Sequence, residues 1–249
     1  MAKNTSASRE RRERALQLAR AQKKKERIIR ICSIIAIVAI IAAATLIVIF
    51  NLPKEEPPAP PTKHLADDQY AKSDEVTNFV KLNISYTDAN GVSRVDDIVV
   101  ELDPENAPIT VANFQKLVGE EFYNGLVFHR VIEGFMIQGG GYKTDGSEKE
   151  ADTIKGEFSE NGVDNGIKHV RGTISMARTD VYDSASSQFF IVHETSDSNT
   201  GSLDGKYAAF GWVVFGMETV DRIAVLETND NNILTSTVKI NSATFVTEK

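Results

Sequence analysis

Hydrophobic and polar positions follow three rhythms along this chain. The first has no polar beat: Ile31 to Phe50 are twenty uncharged residues, mostly Ile, Val, Ala and Leu. Wound into a helix at about 1.5 Å per residue, they reach roughly 30 Å, the hydrocarbon thickness of a bilayer. A buried core helix is the alternative, but the run is apolar all round and is flanked by Arg27 and Arg30. A cleaved secretory signal would have a shorter apolar stretch ending at a small-residue site. Here Ala42-Ala43-Ala44 is followed by six more residues of the run, and Cys32 opens it instead of closing it. The pattern predicts an uncleaved signal anchor.

The second rhythm is strict alternation. Val80, Leu82, Ile84 and Tyr86 alternate with Lys81, Asn83, Ser85 and Thr87, the period of a half-buried strand. Asn90-Gly91 supplies a tight turn, and Ile98, Val100 and Leu102 resume the alternation, so a hairpin is expected. Leu126–Ile132, Ser187–Val192 and Tyr207–Val214 read as further strands, and Val238, Ile240, Thr244 and Val246 share a face of a last one. The third rhythm is helical and occurs twice. Pro108 opens a helix carrying Val111, Phe114, Leu117 and Val118 and stopped by Gly119; a shorter one follows Gly216 with Met217, Val220, Ile223 and Ala224. Many strands and two helices predict a mainly β domain, an antiparallel barrel or sandwich.

Charge sharpens this organisation. Residues 1–30 hold 11 Lys/Arg against 3 Asp/Glu, whereas the rest of the chain holds 17 against 32. Such a basic head before an apolar run places the head in the cytoplasm and the body outside. Five of the seven prolines fall between Pro53 and Pro61, where they favour an extended spacer. The expected division is a basic cytoplasmic segment 1–30, a transmembrane anchor 31–50, a Pro-rich extracytoplasmic linker 51–75 and a globular domain 76–249. The sequence pI of 5.2 argues against a nucleic-acid partner. One cysteine excludes a disulfide framework within the chain, and His129, His169 and His193 lack metal-motif spacing, so no cofactor or metal is expected.

Candidate chemistry lies where the alternation breaks. Period two groups Arg130 with Phe128 and Ile132, Gln138 with Met136, and Gln188 with Phe190. Long polar side chains can reach solvent from such faces. If instead the three segments converge, they form an apolar pocket with a few aimed donors, which describes a ligand site. There is no nucleophile elbow, and Gly139-Gly140-Gly141 lacks a phosphate-loop continuation, so a turn or close backbone packing is expected there.

These residues lie in blocks that resemble the cyclophilin family of peptidyl-prolyl cis-trans isomerases. The blocks run from Phe128 to Gly140, from Gly172 to Arg178, from Ser187 to Ile191 and from Leu203 to Gly211, and the similarity covers residues 78–246. The resemblance implies a closed eight-stranded antiparallel barrel capped by two helices. It implies that Arg130 is the catalytic arginine, that Phe135, Met136, Phe190 and Leu203 receive the substrate proline ring, and that Gln138 hydrogen-bonds the substrate backbone. Arg130, Gln138 and Phe190 are thus the expected catalytic set. Ala177 and the backbone of Arg178 are expected to bind the substrate main chain, and Gln188 and Tyr207 to line the pocket. Tyr207 replaces a common histidine, Arg178 a frequent asparagine, and the loop Thr179–Ser186 is one residue longer than the commonest form. Ser202 stands where many members carry a tryptophan that helps bind cyclosporin, which argues against tight cyclosporin binding. The expected activity is isomerisation of X–Pro bonds in proline-containing polypeptides folding outside the cytoplasmic membrane. The competing expectation is a non-catalytic module or holdase that captures proline-containing segments; retention of Arg130 favours the enzyme.

Overall fold

The computed structural model describes residues 70–196 and 200–249. The expected basic segment 1–30 and membrane helix 31–50 lie outside the described residues, as does the spacer as far as residue 69. Among the described residues no helix is long and apolar enough to cross a membrane.

Among the described residues nine strands and two α-helices follow in the order β1 (Tyr70–Lys72), β2 (Phe79–Thr87), β3 (Ser93–Leu102), α1 (Pro108–Gly119), β4 (Leu126–Ile132), β5 (Met136–Lys143), β6 (Thr173–Met176), β7 (Phe189–Val192), β8 (Ala209–Phe215), α2 (Met217–Ala224) and β9 (Ile233–Glu248). All pairings are antiparallel. The spatial order is β1-β9-β2-β3-β8-β6-β7-β5-β4, and β4 returns to pair with β9. Strands β2 to β9 therefore close into an eight-stranded barrel, which removes the unpaired edges an open sheet would present.

β1 is an addition outside that ring. It pairs Tyr70 with Glu248 and Lys72 with Val246, and Tyr70 joins Val99, Val214 and Val246 in a small apolar cluster apart from the main core. Tyr70–Lys72 thus belong to the sheet, although the polar surroundings had assigned them to the spacer. A three-residue strand is too short to show a period.

The alternation of β2 is realised residue by residue: Val80, Leu82 and Ile84 are fully buried. Helix α1 plugs the barrel with Val111, Phe114, Leu117 and Val118; the Phe114 ring lies 5.1 Å from Tyr123, 5.7 Å from Phe189 and 5.2 Å from Phe210. The helix ends at Gly119 as expected, but Glu121, at φ 53°, makes the left-handed turn. β6 was not expected. Its four residues are all buried, the polar Thr173 and Ser175 included, and a strand of four is too short for its alternation to stand out. Gly139-Gly140-Gly141 form neither a turn nor a loop but the middle of β5. An added Cβ at Gly139 would press on the Phe128 ring, and one at Gly140 on the Phe189 ring.

Candidate active site

The three segments with broken alternation converge because of register. β4 pairs Arg130 with Gln138 of β5, and β5 pairs Gln138 with Phe190 of β7. Arg130, Gln138 and Phe190 are cross-strand neighbours in one row. Register shifts in β4 on either side of Phe128 let Phe128 enter the core while Arg130 stays half-buried at the surface, as β-bulges do when they re-aim a side chain.

Beside this row Met136, Phe190, Val192 and Leu203 form a buried cluster, with Ile132, Phe135, Ala177 and Tyr207 packed on it. It floors a cup of about 140 Å³ lined by Arg130, Phe135, Met136, Gln138, Ala177, Arg178, Phe190, Leu203 and Tyr207. Drug-sized ligands need roughly 300–1,000 Å³, so the cup suits a single small ring. A second groove of about 550 Å³ shares Arg130 and Gln138 and runs past Gln188, Tyr142, Ile233 and Leu234. It is larger and more open, but the inward-facing apolar set lies in the small cup, and we place the site there. Nine of the ten sequence-derived site residues line the cup. Gln188 lines the groove instead, accepting a hydrogen bond from Gln138 Nε2 at 3.1 Å.

Arg130 Nη1 donates to Gln138 Oε1 at 3.3 Å. Among the described residues no carboxylate pairs with Arg130, so its charge faces the cup uncompensated. The Arg178 guanidinium turns away to clamp two loops. It donates to the carbonyls of Lys206 at 2.8 Å and Thr179 at 2.7 Å and lies 4.7–5.2 Å from the rings of Tyr207, Phe158 and Tyr182. Tyr207 in turn meets Phe190 edge-on at 5.9 Å.

Behind Phe190, sequence reading missed a polar chain. His169 stacks on the Phe190 ring at 6.0 Å; its Nδ1 contacts Asp204 Oδ1 at 3.0 Å and its Nε2 contacts Ser175 Oγ at 2.9 Å. The three residues have the order of a hydrolytic triad, but Ser175 is wholly buried and no substrate can reach its hydroxyl. The chain instead supports the wall of the cup. Burial would raise the Asp204 carboxyl, but hydrogen bonds from the His169 ring and backbone N–H, with the nearby Lys168 charge, outweigh it and hold the group at about 2. That contribution to stability is complete above the ordinary carboxylate value and disappears only as pH falls through about 2.

His129 titrates at a higher pH. Burial, reinforced by the Arg130 charge, pushes it from 6.5 down to about 4. As pH falls from about 6.5 toward 4 the unfolded chain takes up this proton and the folded chain does not, so stability falls with it. We expect the melting temperature to drop between about pH 7 and pH 4.5 in the parent protein, and the drop to shrink in His129→Asn. An undiminished slope in that variant would assign the effect to another group.

Among the described residues no cluster of His, Cys, Asp or Glu could hold a metal ion. The fold agrees with what the chain is similar to. A family model for cyclophilin type peptidyl-prolyl cis-trans isomerases matches residues 87–245. The chain is 44% identical over 156 residues to peptidyl-prolyl cis-trans isomerase A of Dickeya dadantii, covering 60% of this chain and 80% of that protein. It is 45% identical over 132 residues to isomerase B of Escherichia coli (51% and 77% covered), and 46% identical over 121 residues to isomerase B of Bacillus subtilis (49% and 78%). A crystal structure of a Cryptosporidium parvum cyclophilin type isomerase shares the fold at a TM-score of 0.51 and 23% identity, covering 68% of this chain and 99% of that one.

Proposed function

This chain belongs to the cyclophilin-type peptidyl-prolyl cis-trans isomerase family, and from that membership we propose that it rotates X–Pro bonds with Arg130 and the apolar cup, on polypeptides folding outside the cytoplasmic membrane. The chain is an isomerase by family; the residues, clients and location are our reading.

The chemistry needed is modest. Amide resonance opposes rotation by about 18–20 kcal/mol, yet the two X–Pro isomers differ by only about 1 kcal/mol, so the problem is one of rate alone. At the twisted transition state the prolyl nitrogen regains a localised lone pair. A donor aimed at that nitrogen is favoured there more than in either ground state, which is the condition for catalysis. Arg130 supplies a planar, charged donor, and Phe135, Met136, Phe190 and Leu203 hold the ring while the preceding carbonyl swings. Gln138 and the backbone at Ala177 and Arg178 align the main chain. Five decades of acceleration require about 7 kcal/mol, within reach of electrostatic preorganisation and orientation together.

The observation that carries this reading is the row Arg130–Gln138–Phe190 beside the 140 Å³ cup. The test is exchange of a short X–Pro peptide in the presence of the purified protein. Uncatalysed exchange across several X residues would favour the capture module. No proton is transferred in this mechanism, and the His129 ring, next to Arg130 in the chain, is held at about 4. The catalysed rate should therefore be flat from about pH 6 to pH 9; a bell centred near neutrality would overturn the mechanism.

We place the catalytic domain on the extracytoplasmic side, held by a single anchor at residues 31–50 and spaced from the bilayer by the Pro-rich segment. Support comes from the length of the uncharged run and from the basic residues before it. Protease added to intact cells should digest the domain and spare residues 1–30.

A further inference from the structure

We propose that Glu148 is a positioning residue for Arg130, setting the direction of a hydrogen-bond chain that ends on the guanidinium. The inference rests on the reading that Arg130 serves the X–Pro bond. Arg130 Nη1 donates to Gln138 Oε1 at 3.3 Å, Gln138 Nε2 to Gln188 Oε1 at 3.1 Å, and Gln188 Nε2 to Glu148 Oε1 at 3.4 Å. Each glutamine amide could be turned over in place, exchanging its donor for its acceptor. A guanidinium only donates and a carboxylate only accepts. The two ends of the chain therefore demand the same orientation of both amides. In that orientation Gln138 presents its oxygen to Arg130 and spends one N–H on Gln188, leaving the other for a substrate carbonyl. With its ends in agreement, the chain holds the guanidinium in one place without neutralising it.

The scaffold is built around this path. A Cβ on Gly141 would overlap Cγ, Cδ and Nε2 of Gln188, so Gln188 lies flat across the bare backbone of β5. Glu148 is delivered by a tight turn in which the Lys143 N–H donates to the Ser147 carbonyl at 2.9 Å. Beyond it the Lys149 N–H donates to the Gly141 carbonyl at 2.8 Å, and Lys149 Nζ donates to the Phe122 carbonyl at 2.7 Å. Glu148 itself is exposed, and fold stability gives no reason to require a carboxylate there.

Lysine at this position would reverse one end only. It would turn the Gln188 oxygen outward and ask Gln138 to face Arg130 with its amide nitrogen, donor against donor. The experiment uses the full-length protein and compares Glu148→Lys and Glu148→Gln, each alone and combined with Gln188→Leu, by kcat and KM for X–Pro exchange and by melting temperature. Glu148→Lys should lower kcat about tenfold, the scale of one or two misplaced hydrogen bonds, with the melting temperature unchanged. Glu148→Gln should keep the parent rate, because its amide can offer oxygen to Gln188. With Gln188→Leu the chain is already cut, and Glu148→Lys should add nothing. Gly141→Ala, which displaces Gln188, should reproduce the Gln188→Leu loss. An active parent with an indifferent Glu148→Lys would overturn the proposal. So would a Glu148→Lys effect that persists in full beside Gln188→Leu, since that would be charge acting through space. An inactive parent would instead remove the assignment of Arg130 on which the proposal stands.

Discussion

Replacing Arg130 by alanine should lower kcat/KM for X–Pro exchange by about 10²–10³, the loss seen when one preorganised donor is taken from a transition state, while the melting temperature stays close to that of the parent. Both halves of the expectation follow from the surroundings of Arg130. The side chain is half-buried at the surface, and its one side-chain hydrogen bond among the described residues is the 3.3 Å contact with Gln138; its removal opens no core cavity and strands no buried charge. What disappears is the donor facing the cup. Arg130→Lys keeps the charge but not the planar fork, and a compact ammonium on a flexible stem aims less well, so it should recover only part of the rate. Peptide affinity should fall little in either variant, because Phe135, Met136, Phe190 and Leu203, the residues proposed to hold the proline ring, are untouched. Phe190→Ala should do the opposite and cost mostly binding. Exchange measured by NMR, with affinity from titration, separates the two. Loss of affinity and rate in equal proportion in Arg130→Ala would mean that the arginine binds the ground state instead of the twisted bond.

That these residues could be singled out from sequence has a physical basis, and so does what escaped. β4 was read to its ends because the run Leu126–Ile132 combines β-branched and aromatic residues with a polar interruption, and that interruption, Arg130, lines the cup. The row across β4, β5 and β7 was legible only as three separate anomalies. Register joined them, and register depends on the bulges in β4 and on the glycines of β5, which period-two reading cannot place. The resemblance added what alternation could not, the distant wall at Ala177, Leu203 and Tyr207. Residues that act through another side chain escaped. Glu148 looks like any exposed acid in a turn, the clamp made by the Arg178 side chain leaves no pattern although the resemblance marked its backbone, and the His169–Ser175–Asp204 chain spans thirty-five positions before it closes behind Phe190. None disturbs a local pattern, so none leaves a local signal. β6 escaped because Thr173-Ile174-Ser175-Met176 alternate over only four residues.

Glu157→Ala should be the most damaging substitution for stability away from the cup, by about 2–4 kcal/mol. Helix α1 begins without a side chain of its own to cap it: Ala107 occupies the cap position and offers none. The exposed backbone donors at a helix start must then find acceptors elsewhere. Glu157, 47 residues downstream of Thr110 and only 1% exposed, fills that place. Its Oε1 accepts from the Ile109 N–H at 3.0 Å and its Oε2 from the Thr110 N–H at 2.7 Å. A carboxylate here also meets the positive end of the helix dipole. Alanine would leave the Ile109 N–H and the buried Thr110 N–H without their acceptor, at the start of the element whose Phe114 fills the barrel between Tyr123, Phe189 and Phe210. At about 2–4 °C per kcal/mol for a domain of this size, the melting temperature should fall by roughly 5–15 °C. Glutamine discriminates the cause. Its single oxygen can serve one donor, but its amide nitrogen would then face the other, so Glu157→Gln should lose at least half as much as alanine despite its near-identical shape. A Gln variant as stable as the parent would mean that packing, and not acceptance of the two N–H groups, is what Glu157 supplies. Because Phe189 adjoins Phe190 in β7, the alanine variant should also lose isomerase activity on warming before it unfolds globally, whereas Arg130→Ala should be slowed by the same factor at every temperature.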